Sequence, residues 1–108
     1  MADVSTVARP YAKALFDLAT AERKLGAWSE ALGAAAAVVS DAEAKRALAN
    51  PALDDRTRAE LVASVAAAIK GGELLAAGEG RNLLSLLAEN DRLTAIPEIA
   101  VQIGRAHV

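Results

Sequence analysis

The side chains best suited to acid–base or nucleophilic chemistry are few in this chain of 108 residues. The single histidine, His107, stands beside the C-terminus on an apolar stripe, and there is no cysteine. A nucleophilic site needs a serine or cysteine with a base beside it, and no such pair can be assembled. The carboxylates are scattered over helix starts and polar faces, without the pairing of a general acid and base or the spacing of metal ligands. We therefore predict no catalytic residue, no metal site and no cofactor, and interpret His107 as a terminal residue without a chemical role.

The segment GEGRN at 78–82 has two glycines and an arginine before a helical pattern, an arrangement that can bind an anion. It lacks the GxxxxGK[ST] spacing and a preceding strand, so it does not support nucleotide binding. We interpret it as a hinge and a helix start. Asn82 then lies in the first turn, where its amide can bond to the backbone or to a partner.

Nucleic-acid and membrane binding are not favoured by the charge and hydropathy patterns. A helix–turn–helix drawn through 41–70 would carry three arginines, but acidic residues surround them and the net charge is −2. The longest apolar run, ALGAAAAVV, is too short to span a bilayer, and MADVST lacks the order of a signal peptide. We predict no nucleic-acid partner and no direct membrane insertion. The absence of cysteine fits a reducing compartment.

The composition indicates the fold class. The chain has 28 alanines and 14 leucines but only one Phe, one Trp and one Tyr. Alanine and leucine favour helices, whereas strands favour β-branched and aromatic residues. Alternating apolar–polar runs are absent. We predict an all-α six-helix bundle with closely spaced helices, formed as a single helical domain over 1–108.

Start and stop signals place the six helices along the chain. They are expected at about 5–25, 27–39, 41–49, from 54 to the KGG at 70–72, at 81–90, and from 95 onward. For the first helix, either the helix proper starts near Arg9, or it begins earlier and loses one hydrogen bond at Pro10. The segment ELLAAGEG fits either one helical turn or a flexible connector. NDR at 90–92 is expected to form a turn, because Asn and Asp tolerate a left-handed backbone.

Four local features carry specific expectations. Gly26 should end the first helix. Ser40 should cap the third helix in a capping box with Glu43, and Asp54 should cap the fourth. Thr94 should cap the sixth helix, with Pro97 in its first turn.

Two buried stripes are also expected, comprising Leu61, Val62, Val65 and Ile69 on the fourth helix, and Ile96, Ile99, Ala100, Ile103 and His107 on the sixth.

The first and fifth helices have more apolar surface than one core contact requires. Each apolar arc is roughly 200° wide, about twice that of a helix docked on one core. Both helices could be buried on most sides, but a small bundle has little enclosed room. Alternatively, each packs inward with one face and together they expose a groove for an amphipathic partner helix. Trp28 is expected in the core, whereas Tyr11 lies at the edge of its arc with a hydroxyl that needs water or a partner.

Three segments resemble one protein family in combination. They are TVARPYAKALFDLA at 6–19 followed by Trp28, LANP at 48–51, and GRNLLSLLAENDRLTAIPEI at 80–99. Together they resemble the N-terminal domain of the bacterial ATP synthase delta subunit, a relative of the mitochondrial oligomycin sensitivity-conferring protein. Asp91 departs from this pattern, since the family usually has Gly after Asn.

The resemblance implies a six-helix bundle that holds the N-terminal helix of an alpha subunit in a groove between its first and fifth helices. It implies a non-catalytic stator component of the rotary proton-translocating ATP synthase, peripheral on the cytoplasmic face of the bacterial plasma membrane. Peripheral-stalk b subunits would be contacted through a C-terminal domain that lies outside this chain. The partner-binding positions it implies are Tyr11, Ala14, Asn82 and Leu86, and helical spacing adds Leu18, Leu83 and Leu87. The alternative is a helical adaptor or self-associating module that binds another amphipathic helix.

Overall fold

The computed structural model describes residues 3–107, with side chains to Arg105. Within this range the chain forms six α-helices and two short 3₁₀ helices and no strand, which confirms the predicted all-α fold. The helices are α1 (Val4–Ala21), α2 (Leu25–Ser40), α3 (Ala42–Leu48), α4 (Asp55–Ala67), α5 (Gly78–Glu89) and α6 (Ile96–His107). The first 3₁₀ helix (Gly72–Leu75) precedes α5, and the second (Leu93–Ala95) precedes α6.

Helix α2 is the centre of the bundle. It packs against α6, α4 and the first 3₁₀ helix, while α1 packs mainly on α6, and α5 on α4. Alanines on the buried face of α2 leave room for this close packing, and the largest buried side chain on α2 is Trp28, as predicted. The largest fully buried side chains from the other elements are Leu75, Leu84, Leu87, Ile96, Ile99, Ile103 and Val62.

The end of α1 differs from the prediction. Gly26 was expected to stop the helix after Leu25, but α1 ends at Ala21 and Gly26 lies in the first turn of α2. Arg23 takes the left-handed conformation, with φ of +57°. The Lys24 N–H donates to the Ala19 carbonyl at 2.8 Å and the Arg23 N–H donates to Thr20 at 3.1 Å. This pattern is a Schellman motif, and its hydrogen bonds hold Arg23 where glycine is usual.

The cap of α3 is also shifted from the prediction by one residue. Ser40 is the last residue of α2, and Asp41 is the N-cap, its Oδ2 accepting from the Ala44 N–H at 3.0 Å. We expect Asp41→Ala to lower the free energy of unfolding by about 1 kcal/mol, because a first-turn N–H loses its partner. Ser40→Ala should change it by less than about half of that. Urea denaturation followed by circular dichroism measures both, and equal losses would contradict the assignment of the cap.

Helix α4 buries a different face from the predicted one. Val62 is buried, but Val65 and Ile69 are 43% and 38% exposed and Leu61 is half-buried. The buried face instead carries Ala59, Val62, Ala63 and Ala66, because small side chains let α4 approach α5 and α2 closely. Asp54 caps α4 as predicted, and its bonds from the Thr57 side chain and N–H hold its pKa below the ordinary value.

The segments around α5 and α6 agree partly with the predictions. ELLAAGEG forms the first 3₁₀ helix and then the start of α5, which begins at Gly78 rather than 81, so Asn82 lies one turn further in. Asp91 forms the predicted turn in the left-handed region, with φ of +57°. Thr94 lies within the second 3₁₀ helix instead of capping α6, whereas Pro97 is in the first turn. The predicted isoleucine stripe of α6 is buried and Ala100 is half-buried. The His107 side chain lies outside the described residues.

Candidate functional site

Helices α1 and α5 lie side by side and run antiparallel. The Tyr11 hydroxyl accepts a hydrogen bond from Asn90 Nδ2 at 3.1 Å, which joins the first half of α1 to the C-terminal end of α5. At the other end, Glu22 follows α1 and faces Glu79 in the first turn of α5. Tyr11 and Glu22 are eleven positions apart in the sequence, a span of about 16 Å or three helical turns.

A groove of about 630 Å³ lies between the two helices. Its walls are largely apolar, because the outward faces of both helices carry alanine and leucine. The groove is lined by Pro10, Tyr11, Ala14, Leu15, Leu18, Glu79, Asn82, Leu83 and Leu86.

Six of the seven predicted partner-binding residues line this groove. Tyr11, Ala14 and Leu18 share one face of α1, at the spacing of successive turns. Asn82, Leu83 and Leu86 form the opposite wall on α5.

Leu87 does not line the groove, so that prediction is wrong. It is fully buried, on the same side of α5 as Leu84 and Ala88. Leu87 follows Leu86 by 100° around the helix, and this rotation turns its side chain towards the core.

Sequence reasoning missed Pro10, Leu15 and Glu79 as groove residues. Leu15 falls one turn after Tyr11 in the wide apolar arc, so its spacing carried the signal. Glu79 lies three and four residues before Asn82 and Leu83, but a helix start predicted at 81 excluded it from α5. Pro10 carried no comparable signal.

The side chains of the groove differ in how freely they can meet a partner. Leu86 is 46% exposed, and Ala14 is also exposed. Tyr11 and Leu18 are half-buried and pack against the core with part of their surface. The groove is therefore rigidly supported from below and apolar at its opening.

One end of the groove is acidic. Desolvation raises the pKa of Glu79 above its ordinary value, the Glu22 carboxylate adds to the rise, and Lys24 opposes it. The polar groups at the opposite end are neutral, namely the Tyr11 hydroxyl and the Asn90 amide, which are hydrogen-bonded to each other.

Two of the arginines considered for anion or nucleic-acid binding, Arg81 and Arg58, are engaged in the fold. Arg81 bonds to Glu60 at 3.0 Å and to the Ser85 hydroxyl at 2.7 Å. Arg58 donates to the carbonyls of Leu48 and Asn50, both at 2.9 Å, and so ties α4 to the end of α3. GEGRN is thus a helix start, as interpreted, held close to the first 3₁₀ helix at Gly80.

The described part of the chain lacks two further kinds of feature, a metal site and a membrane span. No cluster of three or more His, Asp or Glu side chains there could hold a metal ion. None of its helices has the length and hydropathy needed to cross a bilayer.

Comparison with known proteins adds an independent observation. The family model described as ATP synthase delta (OSCP) subunit matches residues 7–106. A protein named ATP synthase subunit delta from Marinobacter nauticus is 44% identical over 100 residues, covering 93% of this chain and 53% of the relative. The proteins of that name from Laribacter hongkongensis and Legionella pneumophila are 48% identical over 102 residues and 44% over 100. The chain spans about half the length of these relatives, 53–54%.

Proposed function

Because this chain belongs to the ATP synthase delta (OSCP) subunit family, we propose that it is a non-catalytic stator component of a rotary ATP synthase. Its groove between α1 and α5 holds the N-terminal helix of an alpha subunit, and so attaches the catalytic headpiece to the peripheral stalk. The b subunits of that stalk are contacted by a part of the subunit beyond this chain. The complex places the domain at the cytoplasmic face of the bacterial membrane, as a peripheral part.

The observation that carries this proposal is the exposed apolar surface of the groove. Its lining on α1 runs from Pro10 to Leu18, about two helical turns. It presents Leu86, Leu83 and Ala14 to solvent in one depression. A partner helix with apolar residues at i, i+3, i+4 and i+7 covers this length with one face. Burying a few hundred Å² of apolar surface supplies about 25 cal/mol per Å² before the costs of association.

The role is mechanical. Rotation of the central stalk exerts torque on the headpiece, and a stator must hold the headpiece still through a contact that does not slip. An apolar groove with polar groups at both ends, Tyr11 and Asn90 at one and Glu22 and Glu79 at the other, disfavours sliding of the apolar face of a bound helix along its axis.

The test is a calorimetric titration of this chain with a synthetic peptide covering the N-terminal segment of the cognate alpha subunit. We expect saturable one-to-one binding with a negative heat-capacity change, because apolar surface is buried. A folded, helical domain that takes up no peptide would contradict the proposal. A dimer that strengthens with concentration in size-exclusion chromatography, without peptide binding, would favour the self-associating alternative.

Truncation of Leu86 locates the peptide in the groove. Leu86→Ala should weaken peptide binding about 5- to 10-fold, because a partner helix buries this exposed side chain. It should leave the free energy of unfolding nearly unchanged, since Leu86 is exposed in the free domain. Val65→Ala is the matched control, because Val65 is similarly exposed on α4 outside the groove. Equal losses of affinity in both variants would place the peptide elsewhere.

A further inference from the structure

The groove is electrostatically asymmetric along its length. Glu79 is the only charged side chain among the described residues that line it. Glu22 lies close enough to raise the pKa of Glu79, so two acidic groups meet where α1 ends and α5 begins. At the other end the polar groups are the Tyr11 hydroxyl and the Asn90 amide, which are neutral and bonded to each other.

Lys24 is the basic group that lowers the pKa of Glu79 at this end of the groove, and it only partly offsets the effect of Glu22. Lys24, just after α1, attracts the Glu79 carboxylate, but the repulsion from Glu22 is the larger influence. Arg81, two residues further along α5, is paired with Glu60 and Ser85. A cation supplied from outside the domain would therefore find two carboxylates at this position.

We infer that the helix bound in this groove carries a lysine or arginine at the end that meets Glu22 and Glu79, and that this contact fixes the direction of the bound helix. The inference rests on the function proposed above and specifies the chemistry of the partner at that site. A long basic side chain can lay its methylene groups along Leu18 and Leu83 and place its charged end between the two carboxylates. An acidic residue there would add to the repulsion between Glu22 and Glu79, and a neutral residue would leave it uncompensated.

The test is a set of titrations in which each Lys or Arg of the alpha-subunit peptide is replaced in turn by glutamine. Each peptide is titrated into the wild-type chain, into Glu79→Gln, and into Glu43→Gln. Glu43→Gln is the matched control, because it removes the same charge from an exposed residue of α3 outside the groove. Circular dichroism confirms that each variant is folded.

We expect one replacement to weaken binding to the wild type about threefold, the size of a partly exposed ion pair, and to have no effect on Glu79→Gln. Glu79→Gln should weaken binding of the unaltered peptide to the same extent, and Glu43→Gln should not. The difference in affinity for the unaltered peptide between the wild type and Glu79→Gln should shrink in about 1 M salt, because salt screens exposed charges. The position of the sensitive residue in the peptide then gives the direction of the bound helix.

Other results separate this inference from the proposed function. If the peptide binds and Leu86→Ala weakens it, but Glu79→Gln binds as tightly as the wild type or more tightly, the inference is overturned and the function stands. The same holds if a peptide without Lys or Arg binds with full affinity. If no peptide binds to the folded wild-type chain, the function fails and the inference fails with it.

Discussion

Ala14→Asp is expected to lower the affinity for the alpha-subunit N-terminal peptide at least about 30-fold, or about 2 kcal/mol. Ala14 is exposed in the wall of the groove, between Tyr11 one turn before it and Leu18 one turn after it. A bound helix would cover the new carboxylate with apolar surface and leave it without a partner. In the free domain the carboxylate is solvated, so the fold should be retained. Calorimetry measures the affinity, and circular dichroism measures the helical content.

Ala37→Asp is the matched control for this substitution. Ala37 is also an exposed alanine inside a helix, but it lies on α2 outside the groove. It should bind the peptide as the wild type does. Normal affinity in Ala14→Asp would remove Ala14 from the interface, and a similar loss in Ala37→Asp would show that a helical charge change, not the groove, is responsible.

Gly80→Ala is expected to lower the free energy of unfolding by about 2 kcal/mol. A Cβ atom at Gly80 would lie 2.2 Å from the Leu74 carbonyl oxygen and 2.9 Å from the Leu75 Cα atom. Both contacts are with backbone, which cannot rotate away, so α5 must move from the first 3₁₀ helix. This cost exceeds the gain of about 1 kcal/mol that alanine brings to a helix. Urea denaturation followed by circular dichroism measures the change.

Gly33→Ala makes the same substitution where there is room for it. Gly33 lies within α2, and apart from its chain neighbours and the nearby backbone of that helix no atom lies within 4 Å of the position that its Cβ would take. It should raise the free energy of unfolding by about 0.5–1 kcal/mol through helix propensity alone. Changes of the same sign in the two variants would contradict the close approach at Gly80.

The groove could be predicted because its signal in the sequence is an excess of apolar surface on α1. Val7, Tyr11, Ala14 and Leu18 on one side, added to Ala8, Leu15 and Ala19, form a wider apolar arc than one core contact can cover. The corresponding apolar arc of α5 does not indicate which of its leucines face the core. Leu86 and Leu87 are identical in type and adjacent in sequence, yet one is exposed and the other is buried. Only the packing of α5 on α4 separates them.

The face of α4 was wrongly predicted for the converse reason. Sequence reasoning ranked Val65 and Ile69 above alanine as core residues, since they bury more area. In a bundle whose helices contact each other through alanines, the helix face with the smallest side chains makes the closest contact. Ala59, Ala63 and Ala66 are therefore buried. The predicted end of α1 at Gly26 was also wrong. Hydrogen bonds hold Arg23 in the left-handed conformation that a glycine was expected to provide.

The alanines beneath α1 bear on how the groove responds to force. The buried side of this helix is Ala8, Ala12 and Ala19 with a single leucine, and alanine has no side-chain rotamer to change. A sideways load on a helix in the groove therefore finds few α1 side chains to rearrange behind that wall. It acts mainly to displace α1 as a whole against α6, the helix on which α1 mainly packs. The α1 wall of the groove therefore has low mechanical compliance, and it transmits a load with little elastic deformation.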